Sequence, residues 1–418
     1  MSSSGPSNPF EGLPFFGDLA KLLGQGRGVP WDAARSLALA VATDGQSEPN
    51  VDPNERMKLE QLARVAELHV ARVTGLSTTV GGRELSVTPV NRGLWATKTL
   101  DAFRPLLEKL AVSLGRPANP DETSERGDPA TAQLDELSGD PSADDQLAAM
   151  IGPLLQAIQP TMVAMTAGSM VGHLARRSFG QYDLPIPRPT AHDVMIVAPN
   201  LDEFGAEWSL PADDFRLWVS LHEITYHTLL GVPHVRGRLD DLIGRYASGF
   251  RNDPEALEEH LRGLDEVDDI ANASGPDLLG QIQQMLGEPS ALLGAIQSPE
   301  QRALRPHLEA LLAVLAGMVD HVMDQVGTNL ISSYGMLTEA LRRRRVETAE
   351  ADRFVERLLG LELTQATYDR GAAFVTGVIE RAGEEGLAPL WTDEKMLPSP
   401  PEVDAPGLWL ARIALPDE

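Results

Sequence analysis

Residues 221–227 read Leu-His-Glu-Ile-Thr-Tyr-His, and here the residue types come nearest to catalytic chemistry. In a His-Glu-x-x-His helix each residue turns by about 100°, so histidines four apart lie about 40° from each other on one face. Both imidazoles then reach one metal ion, and the intervening glutamate acts as a base on the metal-bound water. In this chain His222 and Glu223 hold the first-ligand and base positions. Tyr226 stands four residues after His222, and the second histidine, His227, arrives one residue late. A pair five apart lies about 140° apart on a straight helix, so His222 and His227 share a metal only if the helix widens locally, as at a π-bulge. Tyr226 is in register, and a phenolate can ligate a metal, but a neutral phenol is a poor zinc ligand. The plain alternative is an incidental His-Glu pair, with His227 a buried histidine bonded to a carbonyl or carboxylate. His234, followed by Val235-Arg236-Gly237-Arg238, reads as a helix-start residue or as part of a cleft wall.

Composition narrows the chemistry. The 418 residues include no cysteine, so a metal site must draw on His, Asp, Glu or Tyr, and neither a disulfide nor a thiol nucleophile is available. With 61 acidic and 35 basic residues the net charge is −26, which argues against nucleic acid or an anionic membrane as the main partner and leaves a peptide or protein. Apolar and charged contents of 42% and 23% are ordinary for a globular chain. The first residues lack a basic region followed by an apolar run, so no secretory signal is read there. The most apolar stretch, 147–175, is interrupted by Pro153, Gln156, Gln159, Pro160 and His173, and suits a buried helix pair better than a membrane span. The expected location is cytoplasmic.

The elements that must position the His-Glu pair are mostly helices. Pro211-Ala-Asp-Asp opens one that runs to about residue 230, with acids in its first turn, and Gly231 and Pro233 end it. Apolar residues recur at three- and four-residue spacing in 31–43 and 54–74, the latter opened by Asp52-Pro53-Asn54 and closed by Gly75. Further amphipathic helices are expected at 235–250, 254–264, 276–287, 300–326, 328–344, 349–358 and 364–383. Segment 78–90, with Gly81-Gly82 and β-branched residues, reads as a hairpin, and 194–197, beyond the proline-rich link at 184–189, as an edge strand. The expected organisation is a flexible arm over 1–30, one large helical domain over 31–400 and a C-terminal tail over 401–418. Nine acids between 115 and 145 mark a solvated loop inserted in that domain. The one basic cluster, at 342–345, suits a helix C-terminus, or the docking of an acidic segment such as that loop.

Several stretches together resemble a family of zincin-like metallopeptidases, described as hydrolases or zinc-dependent metalloproteases. Some members carry names tied to biosynthesis of a deazaflavin coenzyme. The resemblance rests on Asn8-Pro-Phe-Glu-Gly-Leu-Pro-Phe-Phe-Gly-Asp, Glu48-Pro-Asn-Val-Asp-Pro and Ala167-Gly-Ser-Met-Val-Gly-His-Leu-Ala-Arg. It continues through Phe215-Arg-Leu-Trp-Val-Ser-Leu-His-Glu, Val232-Pro-His-Val-Arg, Val322-Met-Asp and Tyr368-Asp-Arg-Gly-Ala-Ala-Phe-Val, and so spans nearly the whole chain. It implies a mainly α, zincin-like scaffold of long helices with a small peripheral β element.

The family pattern pairs His-Glu-x-x-His with a later Glu-Gly-His helix. In that register Tyr226 replaces the second histidine, Ala316 the acidic ligand and Met318 the later histidine. Asp320, one turn beyond Ala316, is the geometric substitute, with His321 behind it. The candidate site is thus Glu223 and Tyr226 as catalytic residues with His222, His227 and Asp320 as metal ligands, holding zinc at low occupancy. Catalytic zinc needs three protein ligands and an open water position, so weak or no peptidase activity is expected. The alternative is an active zinc hydrolase cleaving peptides with Glu223 as general base. Gly81-Gly82 and Gly317 lack the strand-turn-helix setting of a phosphate-binding loop, so no other cofactor is read.

Overall fold

The computed structural model describes residues 28–79, 83–114, 143–188, 193–250, 298–346, 356 and 358–415. Local signals place the first helices where the sequence puts them. α1 spans Trp31–Ala42 and α2 Pro53–Thr74; Asp52 accepts the Asn54 N–H at 2.8 Å, Pro53 starts the first turn, and Gly75 closes α2 at φ 67°. The strand β1 (Ser86–Val90) leads into α3 (Arg92–Leu114). The 35-residue α4 (Ala143–Arg177) follows. Thus 147–175 forms one continuous helix rather than the expected pair.

Of the hairpin expected at 78–90, the turn at 80–82 lies outside the described residues, and the second arm contains β1. β1 pairs in parallel with β2 (Asp193–Val197), Ser86 opposite Asp193 and Val90 opposite Val197. Parallel strands need a long crossover, which α3 and α4 provide. The backbone at Gly180 adds an isolated antiparallel bridge to Ile196, so the end of α4 is tied to the free side of β2. α5 (Ala198–Glu207) and α6 (Ala212–Gly231) continue from the sheet, and α7 (Pro233–Ser248) begins where Gly231 and Pro233 stop α6.

α8 (Pro299–Leu330) opens on a capping box, Ser298 with Gln301, and Gln301 also donates to the Tyr246 carbonyl of α7. Its apolar window is long enough to cross a membrane, but 78% of that window is buried inside the structure. It lies along α10 (Gln365–Ala382), where a Cβ on Gly371 would come within 1.9 Å of the Ala313 carbonyl oxygen. α9 (Tyr334–Val346) sits between them in sequence. The C-terminal stretch expected to be loop and tail carries short 3-10 turns, then α11 (Pro400–Asp404) and α12 (Pro406–Ile413). Trp409 explains the difference: it is fully buried against Phe374, and its indole N–H donates to the Met396 carbonyl. Among the described residues helix dominates, with one small parallel sheet. Residues 1–27, the acidic stretch 115–142 and the helices expected at 254–264 and 276–287 lie outside the described residues.

Candidate functional site

α6 passes through the core, buried at every residue from Phe215 to Leu230 except His222. It is α-helical throughout, without the π-bulge that would swing His227 toward His222. His222 therefore meets its in-register neighbours. Trp218, four residues before it, stacks on the imidazole at 5.2 Å, and Tyr226, four after, meets it edge-on at 5.1 Å. The position of a second zinc ligand is filled by an aromatic ring that is 2% exposed.

Glu223 is fully buried, and both of its carboxyl oxygens have polar neighbours. Oε2 accepts the backbone N–H groups of Gln181 at 2.6 Å and Tyr182 at 2.8 Å, and Oε1 lies 3.2 Å from His222 Nδ1. Gly180 makes this approach possible, because a Cβ there would sit 2.3 Å from the carboxyl carbon. Burial pushes the Glu223 carboxyl above the ordinary carboxylate range, opposed by its contacts with His222 and the Tyr182 amide. The Arg188 guanidinium is also buried, between Trp95 and Phe103, and it donates to Thr99. Burial lowers its pKa to about 10, so it stays charged at neutral pH, near Tyr182 and Glu223.

His227 turns to a different partner. Its Nδ1 lies 3.0 Å from the Tyr182 hydroxyl, and its buried Nε2 has no hydrogen-bond partner among the described residues. Burial, reinforced by Arg236, lowers its pKa to about 4, which leaves a neutral imidazole. Tyr182 stacks on Tyr226 at 6.2 Å, and burial pushes its phenol up to about 12.

Asp320 and His321 lie farther along α8, partly buried. Asp320 acts electrostatically on Tyr334, whose hydroxyl donates to Asp324 at 2.7 Å, and burial lowers the His321 pKa. Ala316 and Met318 are buried in the apolar core. Among the described residues no three His, Asp or Glu side chains stand close enough to hold a metal ion, so His222, His227 and Asp320 are not brought together. The donor set present does not fit a catalytic zinc, which needs three convergent ligands and an open position.

Gly180, Gln181, Tyr182, Asp183 and Arg188 were not singled out from the sequence. Gly180-Gln-Tyr-Asp followed by prolines signals a turn, but nothing local ties that turn to a glutamate about forty residues on.

Comparison with known proteins gives the site its family context. A zincin-like metallopeptidase family matches residues 29–410. A candidate hydrolase with a novel fold from Chloroflexus aurantiacus, known from its crystal structure, is similar at 21% identity and a TM-score of 0.59. The similarity covers 93% of this chain and 100% of that one. No curated protein matches.

Proposed function

We propose that this chain, which belongs to the zincin-like metallopeptidase family, has weak or no peptidase activity and works as a binding or scaffold protein on that fold. One observation carries the reading: Glu223, in the general-base position of the motif, is spent on two backbone amides of loop 179–183. A base must present a lone pair to the attacking water, within about 3 Å. A fully buried carboxylate with one oxygen held by two main-chain donors is poorly placed to do so. Tyr226 in the second-ligand position and the dispersed places of His227 and Asp320 support the same conclusion. The negative charge favours a peptide or protein partner over nucleic acid, and a cytoplasmic setting belongs to the same proposal.

A second reading, an active zinc hydrolase, has His222 in its favour, which is the one α6 residue between Phe215 and Leu230 that is not fully buried and which lies beside Glu223. Metal analysis of the full chain, purified without added zinc, separates the two. The proposal predicts zinc well below one per chain and no chelator-sensitive peptide hydrolysis. One zinc per chain, lost on His222→Ala together with chelator-sensitive hydrolysis, would establish the second reading.

A further inference from the structure

The loop that meets Glu223 is anchored on both sides of the two amides it offers. Upstream, the Phe179 carbonyl accepts the Val197 N–H and the Gly180 carbonyl accepts the Trp95 indole N–H, each at 2.8 Å. Downstream stands Asp183. Its Oδ1 accepts the Phe179 and Gly180 amides at 3.1 and 3.4 Å, folding the loop back on itself. Its Oδ2 lies 3.6 Å from the Arg344 guanidinium of α9.

Arg344 does more than pair with Asp183. Its guanidinium lies 3.5 Å from the Phe179 ring centroid, and it donates to the Arg177 carbonyl at the end of α4. A single cation therefore touches the helix end before the loop, the loop's aromatic and the loop's carboxylate. Its neighbours Arg342 and Arg343 are exposed and pair with Glu339 of their own helix. Of Arg342, Arg343 and Arg344, Arg344 is the inward-directed member, with 27% of its side chain exposed. A planar guanidinium can stack on an aromatic face and pair with a carboxylate at once.

We propose that Arg344 is a positioning residue for Glu223: through Asp183 and Phe179 it holds loop 179–183 at the register where the Gln181 and Tyr182 amides meet the carboxylate. The inference rests on the reading of Glu223 as an acceptor for this loop. It gives Arg344 of the basic cluster a role within the chain, distinct from helix capping and from docking an acidic segment.

Site-resolved hydrogen exchange on the full-length protein tests it. In Arg344→Ala the Gln181 and Tyr182 amides should exchange about tenfold faster than in the wild type, while amides of α8 keep their protection. Arg344→Lys, which keeps the charge near Asp183, should recover much of that protection, while Arg344→Met, long but uncharged, should not; a merely space-filling role would be rescued by both. Gln181 and Tyr182 amides as protected in Arg344→Ala as in the wild type would overturn the proposal. Glu223→Ala separates the failures. If it releases the two amides while Arg344→Ala does not, only the role of Arg344 falls. If neither variant releases them, the acceptor reading of Glu223 falls with it.

Discussion

Glu223 and His227 look alike in the sequence, as candidate members of one metal site, yet the structure uses both as hydrogen-bonding groups of a packed core. Glu223 satisfies two main-chain donors that burial would otherwise leave unpaired, at about 1–3 kcal/mol each. Glu223→Gln keeps an oxygen for them, so its unfolding free energy should fall by only about 1 kcal/mol, measured by urea denaturation. His227 gives a pH signature. Its pKa falls from 6.5 to about 4 on folding, so the unfolded chain binds the extra proton between those values. Stability should therefore be lost as pH falls through that window, by roughly 3 kcal/mol at 1.36 kcal/mol per pH unit. The raised Glu223 pKa gives the opposite slope, so the quantity to measure is the wild-type profile minus that of His227→Gln. Equal slopes in both proteins would contradict the assignment. The His-Glu pair was legible because its spacing is local. The Tyr182 and Gln181 contacts were not, because they join residues more than forty positions apart.

Helix ends were legible wherever they depend on neighbouring residues: the Asp52-Pro53 start, the Gly75 stop and the Gly231-Pro233 break all stand where the residue types put them. Strand pairing was not. β1 has the composition of a hairpin arm, but its partner is set by the crossover through α3 and α4, which no local signal announces. Close approaches between elements are also silent in the sequence, and two of them make predictions. Gly180→Ala should be strongly destabilising, because its Cβ would overlap the Glu223 carboxyl group. Part of that loss should disappear in the Glu223→Ala background, where the clash is gone, so a double-mutant cycle should show clear non-additivity. Simple additivity would place Gly180 away from Glu223. Gly371→Ala, which presses on the Ala313 carbonyl between α8 and α10, should cost about 1–3 kcal/mol or more by denaturant unfolding.

At the scale of the whole molecule, family membership and helical architecture were both legible, because matching stretches and helix periodicity extend along most of the chain. The sequence also showed a motif out of register. What required three dimensions was what surrounds the candidate site residues: aromatic rings around His222, a Tyr182–His227 pair and a loop fastened to Glu223. A chain of net charge −26 repels itself when compact, so its melting midpoint should rise as salt increases from about 0.01 M to 0.15 M, where the Debye length shrinks from about 30 to 8 Å. The most direct measurement is the contribution of Glu223 to global stability, read from the unfolding free energy of Glu223→Ala. With two buried amides deprived of their acceptor, the variant should be less stable than the wild type by about 3 kcal/mol or more. A variant as stable as the wild type, or more stable, would show that Glu223 is held for chemistry and would contradict the account.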